Sequence, residues 1–226
     1  MMDFSSIKEI IIPEGKVQTI LVNESIIWKK QIDEEYLFTE YLQFNGNMAF
    51  DTGVVCTHNT KIEVEFTREQ TGKMLYGVKS SDNTASVTAH MNNGGYWRFG
   101  NAYFTGTPNN TKNIAVVNNT GVLLNGIQYK YNSVVNDFET PNTLTVGAAK
   151  EVSGELGTTL FVGKVYYFKI YESDELILDY VPCEKANGEK GFWDNISQKF
   201  IAPILYVEAS MLSNEAIYNT DIMEMM

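Results

Sequence analysis

The chain has 226 residues, enough for one sizeable core or for a main domain with a small appendage. Its 28 acidic against 17 basic side chains give a net charge of −11, which repels a phosphate backbone or an anionic membrane surface and argues against nucleic-acid binding. No apolar run reaches the roughly 18 residues of a membrane helix, and the spacing of Cys56 and Cys183 matches no zinc ligand set, so neither membrane insertion nor a metal or other cofactor is expected.

Thirteen Tyr, twelve Phe and three Trp, with many Val, Ile and Thr and only five Pro, favour short strands joined by turns. Residues 1–32 read as a small β-meander. Strands are expected at Ile7–Ile12, Lys16–Val22 and Ser25–Lys29, with turns at Pro13–Gly15 and at Asn23–Glu24. Three such strands bury too little to stand alone, so they serve attachment or oligomerisation, or pack on their own domain. Asp33–Glu35 marks the junction. From residue 36 the alternation becomes clear: in TKIEVEFT, Ile62, Val64 and Phe66 share one face, and Lys61, Glu63 and Glu65 the other. Further on, Thr107–Thr111 and Val117–Gly121 read as loops or hairpin tips.

The run from Gly163 to Phe200 carries the strongest pattern. In GKVYYFKIY, Val165, Tyr167 and Lys169 alternate with Tyr166, Phe168 and Ile170, and Glu172–Glu175 supplies a polar turn. LILDYVPC returns as a strand that Pro182 should end, and Asn187-Gly188 makes a tight turn before Gly191–Asp194. Residues 206–226 form an added extension. Val207, Met211, Leu212 and Glu215–Ile217 fit one side of a short helix interrupted at Ser213-Asn214 and Asn219-Thr220, an apolar tail suited to a subunit contact.

In order, YLQFNGNMAFDTGV (Tyr41–Val54), TKIEVEFT, LYGVKSSDNTASVTAHMNNGGYWRFGN, TGVLLNGIQY, TPNTLTVGAA, GKVYYFKIY, the VPC ending and NGEKGFWDNISQKF resemble the laminin-G-like, concanavalin A-like modules of phage and prophage tail and appendage proteins. Residues 1–32 are similar to short segments of the type IKxIxIPxGxVxxIxxNGxxIW that precede larger modules in such proteins. The resemblance implies an all-β, antiparallel concanavalin A-like jelly-roll β-sandwich over residues 36–205, with the small N-terminal β-element at 1–32 and the short C-terminal extension at 206–226. It further implies a virion structural protein of a tail, fibre, baseplate or head decoration, made in the host cytoplasm without a signal peptide, its jelly roll adhering to host-surface glycans. Residues 1–32 and 206–226 would then contact other virion proteins, and the chain would form a homo-oligomer. A purely architectural role is the first alternative, and a glycoside hydrolase the second.

Five constellations bear on chemistry. Glu63 and Glu65 face one side, at a strand spacing of about 7 Å that glycoside hydrolysis tolerates; the related glucanases, however, carry three alternating acids where this chain has Lys61 and Thr67, and solvent-facing carboxylates are expected, not an enzyme. The loop Ser80–Asn83 and the stretch Met91–Arg98 combine amide, aromatic and guanidinium groups of the kind sugar sites use, giving Trp97, Arg98, Asn92, Asn93, Asp82 and Asn83 as candidate glycan ligands. Trp97 and Tyr96 point to opposite faces of a strand, so one of them at most is a platform, and Trp97 in the core is the competing reading. Asp82, Asn83 and Asp137 follow no recognised calcium loop, His58 and His90 stand without a nucleophile, and whether Cys56 and Cys183 are bridged stays open.

Overall fold

A computed structural model describes residues 19–22, 25–29 and 36–205, apart from 93, 107, 109 and 110. Strands β1 (Thr19–Val22) and β2 (Ser25–Lys29) pair antiparallel in a sheet of their own. The strand expected at Ile7–Ile12 and the whole extension 206–226 lie outside the described residues. The body continues with β3 (Tyr36–Phe38), β4 (Leu42–Asn45), β5 (Met48–Thr57), β6 (Thr60–Arg68), β7 (Lys73–Val78), β8 (Ser86–Met91), β9 (Tyr96–Gly100), β10 (Ala102–Thr105) and β11 (Lys112–Asn118). It ends with β12 (Gly121–Leu124), β13 (Ile127–Tyr129), β14 (Glu139–Val146), β15 (Ala149–Lys150), β16 (Val162–Glu172), β17 (Glu175–Lys185), β18 (Lys190–Asp194), β19 (Lys199–Ile201) and β20 (Ile204–Leu205).

These strands form a jelly-roll β-sandwich. One sheet runs β10-β9-β8-β7-β14-β5-β20, with β15 beside β7; the other runs β13-β12-β11-β6-β16-β17-β18-β19, with β4 beside β16 and β3 beside β17. The pairings are antiparallel except for the short parallel match of β15 to β7. Between the sheets lie Phe44, Phe50, Phe66, Trp97, Phe99, Phe161, Phe168 and Phe192, all fully buried. Burying one such side chain contributes about 1.5–3 kcal/mol, so this aromatic layer is the main store of stability.

The β6 alternation holds residue by residue: Ile62, Val64 and Phe66 are buried, and Lys61, Glu63 and Glu65 face outward. The β16 pattern needs a correction. Val165, Phe168 and Ile170 all point inward, because the register against β6 slips between Val165 and Tyr167. The extra residue, Tyr166, is a bulge, and a bulge reverses the face of everything beyond it. Pro182 does not end β17 either. Pro182 stays in register with Phe192 of β18, at the point where the other edge of β17 passes from β16, paired up to Tyr180, to β3, paired from Cys183. Between β16 and β17 the two-residue turn Ser173-Asp174 has φ of 50° and 65°, the left-handed pair that matches strand twist.

Cys56 and Cys183 are both free and buried. On the outer face of the smaller sheet, segment 147–161 brings Ala148, Leu156 and Leu160 onto Ala49. Lys150 pins this segment through Asp51 at 2.5 Å and Thr143 at 2.6 Å.

Candidate functional site

Strands β8, β9 and β10 form one end of the eight-stranded sheet. Cross-strand register sets Thr88 against Arg98 and His90 against Tyr96, then Arg98 against Tyr103 and Tyr96 against Thr105. Residues opposite one another share a face, so Tyr96, Arg98 and Tyr103 stand together on the outer side. Trp97 and Phe99, one step out of phase, enter the core.

That phase corrects the glycan platform expected at Trp97. The indole is fully buried, its centroid lies 6.2 Å from that of Phe66, and its Nε1–H donates to the Gly106 carbonyl at 3.1 Å. It offers no face to a ligand. The aromatic group on the surface is instead Tyr96 stacked on Tyr103, with centroids 5.2 Å apart and planes at 25°. Tyr103 is 37 % exposed. The Arg98 guanidinium lies 5.4 Å from the Tyr96 ring and 5.9 Å from the Tyr103 ring. It donates to the Asn83 carbonyl at 2.9 Å and to the Tyr96 hydroxyl.

The Ser80–Asn83 loop is therefore tied to this patch through the Asn83 backbone. Asp82 is spent on the loop itself: one carboxylate oxygen accepts from the Thr84 amide at 3.0 Å, the Thr84 hydroxyl at 2.7 Å and the Ser80 hydroxyl at 3.2 Å. The Thr84 amide and hydroxyl hold the Asp82 carboxyl below the usual carboxylate range. Asn92 accepts with its backbone carbonyl from Arg68 at 3.2 Å, and its side-chain oxygen is buried, so it belongs to the support beneath the strand turn. Asn93 lies outside the described residues. Sequence reasoning named Arg98 but missed Tyr103. The signal was the Gly100-Asn101 pair between Phe99 and Ala102, a two-residue hairpin loop that fixes Tyr103 opposite Arg98.

The other constellations resolve as follows. Glu63 accepts from the Tyr167 hydroxyl at 3.0 Å and the Tyr171 hydroxyl at 3.5 Å, while Glu65 pairs with Lys112 at 3.2 Å. Both carboxylates are acceptors in the cross-strand network of the ten-stranded sheet. His58 Nδ1 faces the Asn136 carbonyl at 3.2 Å, which only accepts, so the proton sits there and Nε2 accepts from the Asn119 amide at 2.9 Å. No group of three or more His, Cys, Asp or Glu able to hold a metal occurs among the described residues. Comparison with models of known protein families and with curated proteins found no match.

Proposed function

We propose that this chain is a phage virion appendage protein whose jelly roll adheres to host-surface glycans through the patch of Tyr96, Arg98 and Tyr103. One observation carries the binding reading: two stacked tyrosines with a guanidinium between strand and loop, on the outer face of a sheet edge. A pyranose has an apolar face that packs on a ring and hydroxyls that pair with a guanidinium or a phenol. The assignment to a virion rests on the ordered resemblance of residues 36–205 to phage appendage modules. A single patch of this size binds weakly, and an oligomer raises its avidity by effective concentration.

Wild type, Tyr103→Ala and Arg98→Gln are applied to a glycan array and to host cell-surface polysaccharide. Binding by the wild type that both variants lose, with unchanged melting curves, is the expected result. Equal binding by all three proteins would sink the assignment of the patch.

One observation favours the architectural alternative. Leu37 and Phe38 on β3 are 68 % and 50 % exposed, directly after the N-terminal element, a position suited to contact with another virion subunit. Failure of the wild type to bind any glycan as an intact oligomer would favour that reading.

A further inference from the structure

A second concave site lies where the β5–β6 turn, the β11–β12 turn and the segment after β13 converge. It is an open cleft of about 540 Å³, inside the range of roughly 300–1,000 Å³ typical of small-ligand sites. Its wall segment is firmly held. Asn101 donates to the Val134 carbonyl at 3.1 Å and accepts from the Asn136 amide at 2.9 Å, while Asn132 exchanges two bonds of 2.9 Å with the Tyr103 backbone.

The lining combines three chemistries. Val134, 82 % exposed, and the side of Tyr131 give an apolar wall; the Tyr131 hydroxyl itself is buried. Thr120 spends its hydroxyl proton on Asn118 at 2.7 Å and so presents lone pairs, and Asn119 has one amide proton committed to His58. Lys130 reaches the cleft as an exposed cation with no ion pair among the described residues, in a chain of net charge −11. Acceptors and donors side by side suit hydroxyl groups, which do both; the wall suits a C–H face; the unpaired ammonium suits a carboxylate.

We propose that this cleft binds an acidic sugar, a uronate-type unit whose carboxylate meets Lys130 and whose ring lies on Val134 and Tyr131. The cleft shares no lining side chain with the tyrosine patch, although Asn132 in its wall segment is bonded to the Tyr103 backbone, and the proposal stands whether or not that patch binds glycan.

The test is ligand-observed saturation-transfer NMR and titration calorimetry on the full chain with digalacturonic acid, the neutral galactose disaccharide and acetate. Saturation of the digalacturonate ring protons is expected. Its affinity should fall about five- to tenfold in Lys130→Gln, the size of one charge-assisted contact, and stay unchanged in Lys199→Gln, which removes the same charge on β19 at the opposite end of the ten-stranded sheet from β13. Both positions are exposed, and melting curves confirm that each variant folds. The proposal is overturned if digalacturonate does not bind, if the neutral disaccharide binds equally well, if acetate displaces it at equal concentration, or if Lys130→Gln has no effect.

Discussion

Truncating Trp97 to Ala separates a core indole from a ligand platform. The side chain is fully buried between the sheets, touches the Phe66 layer and satisfies the Gly106 carbonyl through Nε1. Removing an aromatic from such a site costs about 3–5 kcal/mol, transfer and cavity terms together. The orphaned carbonyl adds about 1–3 kcal/mol if water does not reach it. A loss of about 4 kcal/mol lowers the folding constant roughly a thousandfold and takes much of the 5–15 kcal/mol that a domain usually has. Urea unfolding at constant temperature, followed by far-UV circular dichroism, measures it; the midpoint should fall with little change in slope. Trp97→Phe keeps most of the apolar volume and should lose about 1–2 kcal/mol. A loss below about 1.5 kcal/mol for Trp97→Ala would refute burial of the indole, because no exchange of a packed aromatic for a methyl is that cheap. Loss of glycan binding at unchanged stability would put the platform back at Trp97.

Three further outcomes follow from the fold. Gly147 has φ of +87°, and a Cβ there would sit 2.5 Å from the Phe44 ring and 2.9 Å from the Met48 carbonyl; Gly147→Ala should cost about 2 kcal/mol or more and lower the melting temperature by about 4–8 °C in a scanning calorimeter. Burial pushes the Cys56 thiol up to about 12 and the Cys183 thiol up to about 11, so Ellman's reagent at mildly alkaline pH should label neither in the native protein and both after denaturation. Burial raises the Asp51 carboxyl, but the bonds from Lys150, the Gly53 amide and Thr143 outweigh it and leave the group below its ordinary value. A depressed folded-state value stabilises the native protein above the unfolded value of about 3.9 and is lost as pH falls through the folded one. Asp51→Asn should therefore be less stable than wild type at neutral pH, and the gap should close on acidification below about pH 4; a constant gap would contradict the role of this pair.

Much of this was legible in the chain, and what was not has local causes. In TKIEVEFT the period of two runs unbroken, so its buried and exposed faces read directly from the residues. The same rule applied to YWRFG sets Trp97 with Phe99 and Tyr96 with Arg98, and the larger apolar pair belongs inside. Grouping Trp97 and Arg98 in one sugar site put two faces of one strand together. The phase of β16 was hidden because a bulge adds one residue without any change of composition. Segment 147–161 was unreadable for a different reason: its small apolar side chains cover Ala49 across about a hundred residues of sequence, and no local period records a long-range cover.

The abundance of tyrosine is a poor guide to sugar recognition here, since most of the outward rings already have a cation above them. On the ten-stranded sheet Lys112 lies 3.7 Å from the Tyr166 centroid, Lys164 lies 4.0 Å from Tyr41, and Lys61 lies 4.2 Å from Tyr171. At such distances the ammonium occupies the face on which a pyranose would pack. Arg98 stands at 5.4 and 5.9 Å from Tyr96 and Tyr103, close to the limit of about 6 Å at which a cation still feels the ring. It is anchored there by the Asn83 carbonyl and the Tyr96 hydroxyl, beside the rings and not pressed on them. A ligand can therefore meet the Tyr103 face and the remaining guanidinium N–H groups without first displacing a lysine. Among the described residues the other sheet has one comparable pair, Lys169 at 5.5 Å from the Tyr167 ring, but there the phenol is committed to Glu63 and the ammonium faces Asp179 at 3.7 Å.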